Sequence, residues 1–316
     1  MIKNKKILLT GGSGFIASHI IDSLVDNNDL TIYDNFTRNA FQYTEHSKKV
    51  KVVKGDVLDA TLLDNTIKDT DIVIHLAAIA GVPKVLAQPQ HVFAVNLFGS
   101  QNAINSSIKH GVEKFMMFST SEVYGPNASE VKETDPTQQG PVTELRWIYA
   151  ASKLLDEFYC RANFISNGFP YTAVRPFNVY GERQVGEGAV QTFILNALKQ
   201  APLVITGEGK QIRSWCYVSD AVQLINLALE SPNAIGETFN MGNPEATLTT
   251  NELADKIIKL TNSKSEITSR KIDYPEVWVR KPNIDKAKKL LGFKPKVGIE
   301  SGLKRTIGWF KNNQLK

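Results

Sequence analysis

With 316 residues, 42% of them hydrophobic and 22% charged, the chain is long enough to bury a large core and reads as one or two intimately joined domains, not a string of small modules. Its net charge of +5 comes from scattered lysines and not from a basic stripe interleaved with aromatics, which argues against nucleic-acid binding and fits an anionic small substrate. The two cysteines, Cys160 and Cys216, lie far apart without metal-ligand spacing, so neither a structural disulfide nor a metal site is expected, and a reduced, cytoplasmic compartment is.

The chain opens on a short apolar strand, Ile7-Leu8-Leu9. A glycine-rich turn follows, and Phe15, Ile16, Ile20, Ile21 and Leu24 then recur at helical spacing. In such a strand-turn-helix unit Gly11 permits the tight turn, Gly14 lets the backbone approach a pyrophosphate, and the small Ala17 lies where helix packs on strand. The helix N-terminus offers unpaired N–H groups and the positive end of its dipole to phosphate. The basic residues 3–6 are followed by only three apolar residues before the glycines, so neither a signal peptide nor a membrane span is expected. The next strand, Leu30-Thr31-Ile32-Tyr33-Asp34, ends in an acid twenty positions beyond Gly14, the distance expected of a carboxylate holding the adenosine ribose hydroxyls. Its charge would repel a 2′-phosphate, so NAD is expected over NADP.

Residues 50–57 read as a third strand ending in Gly55-Asp56-Val57, residues 61–67 as a short helix, and Ile72-Val73-Ile74-His75-Leu76-Ala77-Ala78 as a fourth strand. This alternation implies an α/β, Rossmann-type doubly wound parallel sheet covered on both faces, with ligands at the carboxyl ends of the strands. His75, inside an apolar strand, reads as a satisfied core histidine. Residues 92–110 read as helix, and Phe115-Met116-Met117-Phe118 as a strand that delivers Ser119-Thr120-Ser121-Glu122 to its carboxyl end. Residues 126–141 and 181–188 read as loops. Between them residues 147–158 form a strong helical pattern in which Tyr149 and Lys153, four apart, share one face. Tyr171-Thr172-Ala173-Val174-Arg175-Pro176 reads as a further strand, and residues 190–200, 221–230 and 251–261 as helices. The division expected is an NAD-binding domain over residues 1–176, to which the chain returns near 214–230, and a smaller C-terminal substrate-binding lobe over most of 177–316.

A tyrosine hydroxyl, with a pKa of about 10 in water, becomes a base near neutrality if a lysine ammonium and a nicotinamide cation favour the phenolate. Lys153, one turn along from Tyr149, can supply the first of these charges. A Tyr-x-x-x-Lys pair is common by itself; it gains weight from the glycine turn, Asp34 and the polar strand end at Ser119-Thr120-Ser121-Glu122.

With these features on one chain, the sequence resembles the extended short-chain dehydrogenase/reductases of the nucleotide-sugar epimerase, dehydratase and decarboxylase group. The matching stretches are Thr10-Gly11-Gly12-Ser13-Gly14-Phe15-Ile16, Gly55-Asp56-Val57, His75-Leu76-Ala77-Ala78, Asn96-Leu97-Phe98-Gly99-Ser100, Ser119-Thr120-Ser121-Glu122-Val123-Tyr124-Gly125, residues 149–153, Arg175-Pro176-Phe177-Asn178-Val179-Tyr180-Gly181 and Arg280-Lys281-Pro282-Asn283-Ile284. The family's usual final glycine is Ala17 here. The resemblance implies that Tyr149 is the catalytic base, Lys153 its cofactor-binding partner, and Thr120 the hydroxyl that bonds the sugar oxygen being oxidised. It implies cofactor contacts from Gly11, Gly14, Phe15, Ile16, Asp34, Asn35, Asp56, Val57, Leu76, Ala77, Ala78 and Asn96, and substrate contacts from Ser121, Asn178, Arg183, Arg213 and Arg280. Arginine suits a diphosphate independently of the resemblance, being always charged and able to bind in a bidentate way.

The implied reaction begins with hydride transfer from C4 of the sugar to NAD, giving a 4-keto intermediate, after which family members diverge. Epimerases return the hydride to the other face, dehydratases remove water across C5 and C6, and decarboxylases lose the C6 carboxylate of a uronic acid. Glu122 resembles the Thr-Ser-Glu arrangement of uronate decarboxylases and of one class of dehydratase, and can serve as a further acid or base. The neighbourhoods of residues 75–82, 140–142 and 146–149 resemble epimerases. The sequence therefore favours a 4-epimerase of a UDP-hexose or UDP-hexuronate, with UDP-glucuronate decarboxylase or NDP-sugar 4,6-dehydratase as the alternatives. A non-catalytic nucleotide-binding protein on the same fold is disfavoured by the intact Thr120, Tyr149 and Lys153. Helices over 92–110 and 149–165, with Ile148, Leu154, Leu155, Phe158, Tyr159 and Phe164 on more than one face, resemble the pair through which the family forms a homodimeric four-helix bundle.

Overall fold

A computed structural model describes residues 2–314 of the chain. Strand β1 (Lys6–Thr10) runs through the glycine turn into helix α1 (Phe15–Leu24), followed by β2 (Asp29–Asp34), β3 (Lys51–Lys54), α2 (Ala60–Ile67) and β4 (Ile72–His75). Short helices α3 (Val82–Ala87) and α4 (Pro89–Phe93) precede a π-helical turn (Ala94–Phe98) and α5 (Gly99–Lys109); then come β5 (Lys114–Phe118), β6 (Asn127–Val131), the long α6 (Ile148–Asn167) and β7 (Tyr171–Pro176). The remainder comprises β8 (Val179–Tyr180), α7 (Ala189–Leu198), β9 (Leu203–Thr206), β10 (Ile212–Ser214), β11 (Cys216–Tyr217), α8 (Val218–Glu230), β12 (Glu237–Met241), β13 (Thr247–Thr249), α9 (Thr250–Thr261), β14 (Ile267–Arg270), β15 (Val279–Pro282), α10 (Asp285–Leu291) and α11 (Ile299–Asn313).

Seven strands form one all-parallel sheet in the order β12-β7-β5-β4-β1-β2-β3. This is the Rossmann-like α/β arrangement that the strand-helix alternation implies. Strand order reverses between β1 and β4, and a ligand crevice opens outside the carboxyl ends of the strands at such a point. Successive residues of β1 serve opposite faces: Ile7 and Leu9 pack with Ile20, Ile21 and Leu24 of α1 and with Leu224 and Ile225 of α8. Leu8 packs with Leu63 and Ile67 of α2 and Ile104 of α5. Burial on both faces explains why these strands read as unbroken apolar runs, and each such side chain taken from water contributes about 1.5–3 kcal/mol. Both cysteines are buried thiols, Cys160 in the second of these clusters and Cys216 in the first.

The chain beyond β7 divides its residues between the sheet and a lobe above it. Helix α8 and strand β12 belong to the sheet, β12 pairing with β7 through Phe239 opposite Val174. The lobe has its own core, in which Phe193 and Ile194 of α7, Ile205 of β9, Leu253 and Ile257 of α9, and Ile307 and Phe310 of α11 are buried together. A second sheet, β13-β10-β15-β6, connects lobe and site; β10 and β15 run parallel with Arg213 in register with Arg280. Among the described residues no helix is long and apolar enough to cross a membrane.

Two local expectations are corrected. Residues 126–141 are not wholly loop, because Asn127–Val131 pairs with β15 and so is extended by a distant partner, not by any apolar pattern of its own. Residues 92–110 are not one α-helix: the π-helical turn at Ala94–Phe98 interrupts it. That turn contains Asn96, whose side chain accepts from the Ile79 N–H at 2.7 Å and donates to the Ile79 carbonyl at 3.0 Å.

Candidate active site

A cavity of about 1460 Å³ runs from the carboxyl ends of β1, β2 and β4 into the space under the lobe. At one end its wall is the glycine turn. Gly11 has φ +68°, and a Cβ there would stand 2.6 Å from the backbone nitrogen of Ala77, so the turn and the strand-end loop can approach only through glycine. No side chain caps α1 at Gly14, which leaves the first-turn N–H groups for an anion in the cavity. Asp34 is held rigidly: its carboxylate accepts the Ser13 N–H at 3.0 Å and the Phe36 N–H at 2.6 Å. Asp56 accepts the Leu58 N–H at 2.9 Å. An uncapped helix end, a close-approach glycine and a fixed carboxylate one strand away form a donor and acceptor set that fits a dinucleotide. Gly11, Gly14, Phe15, Ile16, Asp34, Asn35, Asp56, Val57, Leu76, Ala77 and Ala78 all line the cavity.

Asn96 does not. It is fully buried and, through its two bonds to Ile79, holds the loop after β4 in place, so its expected contact becomes support of the wall. His75 lies deeper still, with the Thr10 hydroxyl 2.7 Å from Nδ1 and the Ser100 hydroxyl 3.0 Å from Nε2. Burial, reinforced by the Lys153 ammonium, pushes its pKa down to about 3, so it is a neutral core histidine.

At the other end, β5 delivers Thr120, Ser121 and Glu122, while the first turn of α6 delivers Tyr149 and, one turn on, Lys153. Thr120 caps the short 3-10 turn Ser121–Tyr124, its Oγ1 accepting the Glu122 N–H at 3.1 Å. Tyr149, Lys153 and Glu122 line the cavity, and Thr120 and Ser121 are buried behind them. Burial first, then the Glu122 carboxylate, pushes the Tyr149 phenol up to about 12; a hydrogen bond with Thr120 and the Arg280 charge oppose the rise. The phenol therefore needs additional positive charge nearby before it can act as a base near neutrality. Lys153 is 1% exposed, with its Nζ 3.4 Å from the Asp156 carboxylate. Asp156 is itself pushed up to about 6 by burial, with Lys153 and the Ser100 hydroxyl opposing.

Four charged side chains converge beside Tyr149. Glu122 stands 3.6 Å from Nη1 of Arg280 and 3.9 Å from Nη2 of Arg146. Arg280 Nη1 also donates to the Ser121 hydroxyl at 3.3 Å, while its Nε and Nη2 have no partner. Arg213 gives its two Nη groups to the backbone carbonyls of Ile212, Val277 and Trp278, and burial followed by the Arg280 charge pulls its pKa down to about 10. Asn178, at φ +40°, donates to the Ser214 carbonyl at 3.1 Å and lines the cavity. Arg183 is a correction: its Nη1 is 2.5 Å from Asp22 Oδ2 and 3.2 Å from the Ser18 carbonyl, so α1 takes it up and it is absent from the cavity wall. Arg146 and Tyr274, both on the wall, were missed. For Arg146 the available signal was its place three residues before Tyr149, which helical spacing puts on one face.

The family profile described as the NAD dependent epimerase/dehydratase family matches residues 7–242. The chain is 36% identical to a UDP-N-acetyl-alpha-D-glucosaminuronate decarboxylase of Bacillus cytotoxicus, over 97% of this chain and 98% of that one. Among solved structures it is similar to a UDP-glucose 4-epimerase of Thermotoga maritima with UDP-glucose, at 30% identity and TM-score 0.90 over 97% and 99% of the two chains. It is likewise similar to a UDP-glucuronic acid 4-epimerase of Bacillus cereus in complex with UDP-glucuronic acid and NAD, at 28% identity and TM-score 0.88 over 97% and 99%.

Proposed function

This chain belongs to the NAD-dependent epimerase/dehydratase family, and from that membership we propose that it oxidises C4 of a UDP-linked hexuronate and then releases the C6 carboxyl as carbon dioxide. The observation that carries this reading is Glu122: a second acid-base group stands on the cavity wall beside Tyr149, held by Arg280 and Arg146. Taking a hydride from C4 and returning it requires one base, whereas losing C6 leaves a carbanion at C5 that needs its own proton donor.

When bound, NAD supplies the hydride acceptor and a positive charge beside the phenol. Gly11, the uncapped end of α1 and Asp34 would hold its pyrophosphate and ribose, and Lys153 and Tyr149 would flank its nicotinamide. Tyr149 takes the C4 hydroxyl proton, and Thr120 hydrogen bonds the same oxygen. The resulting 4-keto group is β to the C6 carboxylate, so the C5–C6 bonding electrons flow into that carbonyl as carbon dioxide leaves. Thr120 and the protonated Tyr149 stabilise the enolate oxygen, Glu122 relays a proton from solvent to C5, and Tyr149 gives its proton back to the C4 oxygen as the hydride returns to C4, leaving a UDP-pentose. Arg213, Arg280 and Asn178 hold the diphosphate, and the lobe core of α7, α9 and α11 carries the nucleotide-sugar side of the cleft. The exposed Phe98, Leu155, Phe158 and Ile165 support a homodimer through α6 and the helical segment around the π turn.

A second reading is 4-epimerisation of the same substrate, favoured by the chain-long likeness to the two 4-epimerase structures. Incubation with NAD and UDP-glucuronate or UDP-N-acetylglucosaminuronate, followed by NMR, separates them: decarboxylation gives a UDP-pentose, and epimerisation keeps C6. Glu122→Gln is expected to cut pentose formation by about a hundredfold or more and to accumulate the 4-keto sugar. A variant that turns over normally would reject the role of Glu122 and favour the second reading.

A further inference from the structure

Arg146 shares burial and unpartnered donors with Arg280 but alone of the three arginines lies against aromatic rings. Its side chain is 5% exposed, yet it lies on the cavity wall. The guanidinium is stacked against Trp147 at 4.8 Å and Tyr274 at 5.6 Å from the ring centroids. Nη1 donates to the Pro275 carbonyl. Nε has no partner, and Nη2 has only the long 3.9 Å approach to Glu122. A buried guanidinium whose donors are this incompletely used carries a desolvation penalty that an anion in the cavity would offset. The same conclusion follows from the charge of the cluster, in which Arg146, Arg213 and Arg280 outnumber the carboxylates Glu122 and Glu276.

Position decides which part of the substrate Arg146 meets. Arg213 and Arg280 lie in register on β10 and β15, and from β15 Arg280 reaches Ser121 and Glu122. Arg146 lies on the 3-10 turn Leu145–Trp147 that runs directly into α6, three residues before Tyr149. It therefore reaches Glu122 Oε2 from the α6 side, while Arg280 reaches Oε1 from β15. Its contacts with two rings and the Pro275 carbonyl restrain the guanidinium, whose planar fork suits a bidentate anion better than a flexible lysine would.

We infer that Arg146 is the specificity-determining residue that reads a carboxylate on the sugar, selecting hexuronates over neutral hexoses. This rests on the hexuronate reading above and deepens it by naming the residue responsible. Arg146 also masks the charge of Glu122 from the incoming carboxylate, because the two anions would otherwise repel at close range.

The test is a binding comparison on the NAD-loaded Tyr149→Phe protein, in which the ligand is not consumed. UDP-glucuronate, UDP-glucose and UDP are titrated by calorimetry with and without Arg146→Gln. Loss of a charge-assisted pair is expected to weaken UDP-glucuronate by about ten- to a hundredfold, with UDP and UDP-glucose little changed. Arg146→Lys keeps the charge and the aliphatic stem, so it is expected to lose part of the preference; if Arg146→Gln does not fold, the lysine variant carries the test. Equal weakening of all three ligands, or an undiminished preference for the uronate, would overturn the inference while leaving the hexuronate reading standing. A parent protein that binds UDP-glucose as well as UDP-glucuronate would reject the hexuronate reading itself, and this one with it.

Discussion

At the proposed cofactor end of the cavity much of the wall is backbone: Gly11, Gly14 and the first turn of α1 come from one short stretch, and Asp34 has both carboxylate oxygens bonded to neighbouring N–H groups. At the proposed sugar end the wall is side chains, and Glu122, Arg146, Arg213 and Arg280 come from four separate segments and leave three guanidinium nitrogens without partners. The first end is complete before any ligand arrives; the second holds charge that only an anion satisfies. A site can thus be preorganised for a cofactor by geometry and for a substrate by electrostatic incompleteness, two arrangements with different responses to mutation.

The strongest challenge to this contrast is at the junction of the two ends. Tyr149→Phe keeps the ring and its packing and deletes only the proton acceptor, so NAD binding and folding are expected to survive. Turnover is expected to fall by about a hundredfold or more, measured as product by NMR against an intact thermal melt. An active Tyr149→Phe enzyme would end the base assignment.

A smaller effect tests the cofactor end. If Asp34 occupies the ribose position, NAD binds more tightly than NADP by at least about fivefold, since like charges about 4 Å apart repel by about 1 kcal/mol or more. Asp34→Ala is expected to narrow that ratio in fluorescence titrations with both cofactors. Equal affinities in the parent protein would show that the rigid carboxylate faces something else.

A separate effect concerns stability behind the wall. His75 is held neutral when folded, with a pKa near 3 against 6.5 for the free side chain. Its sign is therefore unfavourable in acid: above pH 6.5 neither state binds the proton, and between 6.5 and 3 only the unfolded chain does. Stability from this group falls as pH falls, by up to about 1.4 kcal/mol per pH unit. Asp156, held up to about 6 against 3.8, contributes a slope of opposite sign between those values. The His75 contribution is accordingly read as the difference between the parent and His75→Asn in urea unfolding at a series of pH values. The parent is expected to lose more stability on acidification, and parallel curves would show that His75 takes up protons in the folded state.

The local sequence by itself determined the cofactor end. A tight turn, a close approach and a helix start each demand particular residues at fixed spacing, so Gly11, Gly14, Asp34 and the apolar strands were legible without knowing what lay across from them. Tyr149 and Lys153 were legible for the same reason, since one turn of helix puts them on one face. Tertiary structure decided the rest. It turned Asn127–Val131 into a strand by giving it β15 as partner, drew Arg183 to Asp22 on α1, and directed Asn96 onto the Ile79 backbone. It also brought Arg146 toward Glu122 and over the Tyr274 ring. Long-range pairing leaves no periodic signal in either segment, because the partner that satisfies a charged or polar group is chosen by where the chain returns and not by the residues beside it.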